Sequence, residues 1–178
     1  MTVCHLKKLK LSLVAPLLFS FRRSINMSVL PSAWKIAVIV PIHKKGDKSK
    51  VSNYRPISLT SIACKVMERV VADNIQQFLA ANDIISNDQY AYTKGKSCQL
   101  QLLNFTNDIF KYLKNGSQVD VAYLDFSKAF DSVIHSKLLL KLKIVGIDGL
   151  ILNWVEAFLT ERSQCVRVGC YKSSLTPS

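Results

Sequence analysis

The run at residues 119–135, VDVAYLDFSKAFDSVIH, constrains the fold more than any other stretch, because it sets one carboxylate at the end of an apolar strand. Val119, Val121, Tyr123 and Leu124 have the composition of a mostly buried strand, and Ser127 begins the turn or short helix that ends it. Asp125 therefore falls at a strand's carboxyl end. Strand side chains alternate between faces, so Asp120, five positions earlier, points away and cannot share a ligand with it. Read from these residues alone, Asp125 either caps the turn or is an isolated functional carboxylate.

A strand of that kind needs covering layers, and the rest of the chain supplies candidates. Residues 13–30 read as a helix, apart from Pro16, that Pro31 stops, with Leu17, Leu18, Phe21 and Ile25 at three-to-four spacing. Residues 34–42, WKIAVIVPI, are β-rich, and the proline near their end suits an edge strand. HKKGDKSKVSNY then reads as an exposed basic loop leading to a second strand near residues 55–59, a hairpin-like pair. Ser58, Thr60 and Ser61 offer caps for a helix to about Ala81. Its apolar stripe runs through Ile62, Val66 and Val70, with Met67, Val71, Ile75, Phe78 and Leu79 beside it. Residues 82–88 are a turn cluster, residues 89–96 are irregular, and Ser97 caps a helix to Lys114 that turns Leu102, Leu103, Thr106, Ile109, Phe110 and Leu113 inward. Residues 135–145 read as a helix stopped at Gly146, and Asp148 or Gly149 opens another with Leu150, Ile151, Trp154, Val155, Phe158 and Leu159 in one stripe. Residues 164–168 form a short strand, followed by a Ser/Thr/Pro-rich tail with no capping element. This mixture is that of an α+β or α/β layered fold.

The chain's 178 residues suffice for one domain or part of a larger one. Of the formal net charge of +12, +10 lies in residues 1–60, where eleven Lys/Arg face one acid, Asp47. A polyanion is the natural partner. Nucleic acid is favoured over a membrane surface, because Lys35, Tyr54 and Pro56 sit in strand-like sequence and not on a basic amphipathic helix. Five scattered cysteines, Cys4, Cys64, Cys98, Cys165 and Cys170, imply neither a disulfide framework nor a zinc box. Lys7, Lys8 and Lys10 before the apolar run Leu11 to Phe21 imitate a secretory signal. Phe21, Arg22 and Arg23 stand where small residues should mark cleavage, and the run is too short to span a bilayer. A cytoplasmic or nuclear setting without stable membrane association is expected.

Gly-rich phosphate loops, Ser-His-Asp sets, HExxH and CxxC pairs are absent, and His5, His43 and His135 are far apart, which leaves most common enzyme classes without support. A different pattern stands out. The run LDFSKAFDSV strongly resembles the first palm motif of reverse transcriptases encoded by non-LTR (LINE-like) retrotransposons. Upstream blocks resemble the same family in the family's order. LPSAWKIAVIVPIHKKGDKSKVSNYRPISL is similar to the segment that leads into and forms the fingers, SLTSIACKVMERVVADNIQQFL to the helix after the fingers strands, and QYAYTKGKSCQ to a segment near template and nucleotide. In that last block Gln89, Gly95 and Ser97 fit, whereas Ala91, Thr93 and Lys96 stand where Gly, Arg and Arg are usual.

The resemblance implies fingers and a partial palm of a right-hand polymerase, α+β, with helices packed on a small mixed or antiparallel sheet. Residues 1–32 would be a helical extension, 33–118 fingers-like and 119–178 palm. It implies that Asp125 is the catalytic metal ligand, joined by the backbone carbonyl of Phe126. Phe130 would exclude a ribose 2′-hydroxyl, and Lys44, Lys45 and Arg55 would meet the triphosphate, Arg55 bidentately and the lysines as movable charges. Lys48, Lys50, Gln89, Lys94 and Lys96 would lie along nucleic acid. The partners would be an RNA template, a DNA primer and dNTPs, and the cofactor Mg²⁺ as two ions about 3.5–4 Å apart. Two cations need more than one carboxylate. The family places its other acids in an aromatic-Ala-Asp-Asp hairpin, and no Asp-Asp pair occurs in these residues. The isolated chain is therefore expected to be inactive. The alternative is a non-catalytic remnant or domesticated element that holds nucleic acid through its charge.

Overall fold

The computed structural model describes residues 9–127 and 129–177. Cys4, His5, Lys7 and Lys8 lie outside the described residues. Two compact units are present: residues 1–75 with 134–178, and residues 76–133. Among the described residues, five α-helices and a five-stranded mixed sheet make the fold α+β.

The first unit holds the whole sheet. Strands β1 (Ile36–His43) and β2 (Tyr54–Leu59) form the expected antiparallel hairpin, with Val38 opposite Leu59 and His43 opposite Tyr54. The order is β2-β1-β3-β4, with β5 also on β3. β1 is thus an interior strand, contrary to the edge position that Pro41 suggests. Its parallel pairing with β3 (Ser163–Val168) runs only from Ile36–Ser163 to Ile39–Val166. The next donor that β1 would offer on that side belongs to Pro41, which has no N–H, so the proline ends the ladder rather than marking an edge. In the Ser/Thr/Pro-rich tail, β4 (Tyr171–Lys172) and β5 (Thr176–Pro177) fold back antiparallel onto β3, and Ser173 Oγ accepts from the Val166 N–H at 3.0 Å.

Around the sheet lie helices α1 (Lys10–Met27), the first part of α2 (Ile62–Ala81), α4 (His135–Ile144) and α5 (Gly149–Leu159). The core gathers Leu30, Trp34, Cys64, Met67, Val71 and Trp154, with Phe21, Ile25, Ile151, Val155 and Phe158 against it. The periodicity of α2 also assigns Ile62, Val66 and Val70 to the core. Only the Cys64–Met67–Val71 line of α2 is buried, and Val66 and Val70 are exposed. Trp154 stacks on Phe158 at 5.4 Å, and the Arg162 guanidinium lies 4.6 Å from the Phe158 ring, three planar groups one helical turn apart. The indole N–H of Trp154 donates to Ser24 Oγ at 2.9 Å, and that hydroxyl donates to the Val29 carbonyl at 2.8 Å, so the buried serine and indole satisfy each other. α4 ends in a Schellman motif: Gly146, at φ +95°, donates to Lys143 O, and Ile147 donates to Leu142 O while its side chain is buried.

The second unit contains the end of α2, a run of turns, α3 (Cys98–Lys114) and the segment at 117–133. Ser97 caps α3 as expected, its Oγ accepting from the Leu100 N–H at 3.2 Å. Gly116 and Ser117 close the helix with a second Schellman pair of bonds, to Leu113 O and Tyr112 O. The inward stripe expected on α3 is not found: Leu102, Leu103, Phe110 and Leu113 are exposed, and Thr106 and Ile109 are half-buried. Among its described residues this unit buries none.

The strand expected at residues 119–125 does not form. The stretch has no regular structure and pairs with no strand, and Tyr123, Leu124 and Phe126 are 82%, 88% and 80% exposed. A strand exists only against a neighbour that takes its N–H and C=O groups, and β1 to β5 all belong to the other unit. Composition alone does not supply that neighbour. The helical stretch imitating a signal is α1, and among the described residues no helix is long and apolar enough to cross a membrane.

Candidate functional site

The β1–β2 hairpin carries the first group of candidate residues. Its loop is built by its own short polar side chains. Gly46 takes φ +82°, a conformation that favours glycine, and a Cβ there would push on the Asn53 amide at 2.8 Å. Asn53 Nδ2 donates to Asp47 O at 2.8 Å, the Lys44 N–H donates to Asn53 O at 2.8 Å, and Tyr54 OH donates to Lys48 O at 2.9 Å. His43 Nε2 lies 2.9 Å from Gly46 O, with its ring edge-on to Tyr54 at 5.4 Å. The carboxylate of Asp47 accepts from the Ser49 N–H at 2.9 Å and from Ser49 Oγ at 2.8 Å. These bonds hold its pKa below the usual carboxylate value.

That last arrangement decides the electrostatics of the loop. The one acid there is spent on Ser49, and among the described residues none of Lys44, Lys45, Lys48, Lys50 or Arg55 forms an ion pair. All five are exposed. Arg55 faces Ile42 across the hairpin, and Lys44, two residues beyond Ile42 and held by its bond to Asn53, falls on the same face by strand alternation. The hairpin therefore presents uncompensated positive charge on a rigid base, suited to phosphate oxygens.

The remaining candidates lie in the second unit. Asp125, Phe126 and Phe130 sit on the unpaired segment, all exposed, with Phe130 edge-on to Tyr92 at 6.1 Å. Gln89 Nε2 donates to Ala91 O at 3.0 Å. Lys96 donates to Asn87 O and places its ammonium 5.2 Å from the Tyr90 ring centroid, so its charge is engaged within its own turn, whereas Lys94 is exposed. Sequence patterns single out neither Asn53 nor Tyr92. The readable signal for the loop is Gly46 followed by Asp47-x-Ser49, a positive-φ residue and an Asx turn.

The donor set can be matched to a metal by its chemistry. The Asp125 carboxylate and the Phe126 carbonyl are hard oxygen donors, and Mg²⁺ is commonly held by one or two carboxylates together with substrate phosphates and water. They fit one such ion. Among the described residues no group of three His, Cys, Asp or Glu side chains is assembled, so the ligands for a second ion are not gathered here.

Comparison with known proteins shows which family the chain resembles. The family described as reverse transcriptase (RNA-dependent DNA polymerase) matches residues 42–177, a span that takes in the hairpin loop, α2 to α5 and the segment bearing Asp125. The RNA-directed DNA polymerase from mobile element jockey of Drosophila melanogaster is 34% identical over 158 residues, 88% of this chain and 17% of the relative. The probable RNA-directed DNA polymerase from transposon BS of the same species is 28% identical over 169 residues, 93% of this chain and 18% of the relative. A retrovirus-related Pol polyprotein from the type-1 retrotransposable element R2 of Popillia japonica is 26% identical over 140 residues, 79% of this chain and 19% of the relative. The chain spans less than a fifth of the length of these relatives. With the basic hairpin, the exposed Asp125-Phe126 pair and these matches in one sequence, the chain belongs to the reverse transcriptase family, among those of non-LTR retrotransposons.

Proposed function

We propose that this chain provides the fingers and the first palm segment of an RNA-directed DNA polymerase acting on an RNA template, a DNA primer and dNTPs. The observation that carries this reading is the uncompensated cationic hairpin, Lys44 to Arg55, lying within the same family match as the exposed carboxylate of Asp125. Residues 33–118 act as fingers-like region, residues 119–178 as palm, and residues 1–32 as a helical extension. Arg55 and Lys44, on one face of the hairpin, bind triphosphate oxygens, with Lys45 as a third movable charge. Lys48, Lys50, Gln89, Lys94 and Lys96 track the nucleic acid, Lys96 after leaving the Tyr90 ring. Phe130 stands as the bulky side chain that excludes a 2′-hydroxyl.

Asp125 and the Phe126 carbonyl would hold Mg²⁺, which when bound neutralises phosphate charge and activates the primer hydroxyl. The contribution of the chain itself is to orient: the hairpin fixes the triphosphate, and the exposed segment presents two oxygen donors. The test is the retention of a labelled RNA–DNA primer–template, measured by fluorescence anisotropy with and without dNTP and Mg²⁺. Asp125→Ala should remove the increment due to dNTP and Mg²⁺ while leaving binding in their absence intact. An increment that survives the substitution would sink the assignment of Asp125.

A further inference from the structure

The exposed face of α4 presents a second row of positive charge. Its sequence, HSKLLLKLKI, contains three lysines and no acid. Leu138, Leu139 and Leu142 are half-buried, whereas Lys137, Leu140, Lys141 and Ile144, at spacings of three and four, are exposed together and form one face, with exposed Lys143 beside it. Among the described residues none of these lysines forms an ion pair.

The helix itself does not account for them. Lys137 is the third residue of α4, at the positive end of the helix dipole, where an acid would stabilise and a cation opposes. Lys137 and Lys141 are like charges one turn apart, a further local cost. Lys141 and Lys143 stand at the favourable end, yet the terminal carbonyls there are already satisfied, Lys141 O by Val145, Leu142 O by Ile147 and Lys143 O by Gly146. Local choices that run against an element's own stability point to a function outside it.

We infer that this face of α4 is a phosphate-binding track for nucleic acid, separate from the β1–β2 hairpin. The inference rests on the polymerase reading, which supplies a polynucleotide as ligand. Lys137 and Lys141, about 6 Å apart along the helix axis, meet backbone phosphates, and Leu140 and Ile144 beside them lie against sugar. Such interactions carry no base preference.

The test is anisotropy of the full chain with short fluorescein-labelled single-stranded RNA across a salt series. Neutralising the row (K137Q/K141Q/K143Q) should reduce the slope of log K against log salt by about 1.4, at roughly 0.7 for each of the two phosphates no longer neutralised on a single strand. The arginine triple variant K137R/K141R/K143R should keep the wild-type slope, which separates charge from folding. A parallel variant, K44Q/K45Q/K48Q/K50Q, tests the hairpin. If the hairpin variant lowers the slope and the α4 variant does not, the inference fails while the polymerase reading stands. If wild-type binding is itself insensitive to salt, both fail. Competition by charge-matched polyglutamate as strong as by RNA would assign the face to an acidic polypeptide and overturn it as well.

Discussion

At the scale of single residues, Cys64 shows how burial becomes a pH response. Its side chain is inaccessible, and Sγ donates to Glu68 Oε1 at 3.1 Å. Burial first, and then the bond to Glu68 and its charge, push the thiol from its ordinary 9.0 up to about 12, outweighing the opposite pull of Arg162. The unfolded chain releases this proton near pH 9 and the folded chain keeps it. The contribution is therefore whole below about pH 9 and lost as pH rises toward about 12, at no more than about 1.4 kcal/mol per pH unit. Urea midpoints of wild type and Cys64→Ser should diverge across that window and run parallel below it. Parallel curves throughout would show that the thiol is not held protonated. Ser24 makes a contrasting case: its hydroxyl accepts from the Trp154 indole N–H, and orphaning a buried donor of that kind costs about 1–3 kcal/mol.

At the scale of elements, the hairpin shows what proline does on each side of a strand pair. Pro41 and Pro56 face each other across β1 and β2. Neither has an N–H, so this is a non-hydrogen-bonded pair, and the backbone groups of Tyr54, Pro56 and Ser58 point to the free edge of β2. The Tyr54 N–H is used by Val51 O and Pro56 has none, which leaves Ser58 the one outward donor along that edge. An edge so depleted of donors is a poor template for another chain. Pro56→Ala restores a donor there, and light scattering at rising protein concentration should begin earlier than for wild type; unchanged scattering would remove this role. These elements are readable from sequence because caps, prolines and three-to-four periodicity act locally: Ser97 starts a helix and Gly146 ends one where expected. Two features escape such reading because they are non-local. Pro41 reads as an edge signal because no sequence pattern announces that β3 pairs on its other side, and the 119–125 run reads as a strand because the identity of a ladder partner is not written in the strand itself. The candidate site follows the same division. The types and positions of Lys44, Lys45, Arg55 and Asp125 can be read, whereas the tie of Asp47 to Ser49 and the engagement of Lys96 over Tyr90 depend on how each turn closes.

At the scale of the whole molecule, charge and burial divide between the units in the same sense. Residues 1–75 with 134–178 hold nineteen basic against six acidic residues, a formal +13, while residues 76–133 hold five against six, a formal −1. The first unit also has the buried core, and among the described residues the second buries none. Cooperative protection requires buried side chains and satisfied amides. Hydrogen exchange should therefore leave residues 119–126 unprotected while β1 is protected, and slow exchange in that segment would mean that it has found a ladder partner.

The placement of Trp34 and Trp154 carries a practical consequence for optical work. They are the only two tryptophans in the sequence, and both lie in the core of the first unit, against Phe21 and Phe158. The indole emission of this protein is thus a reporter on one unit alone, blue-shifted while the core is closed. The second unit carries only tyrosine, at positions 90, 92, 112 and 123, and is silent when excitation is restricted to indole.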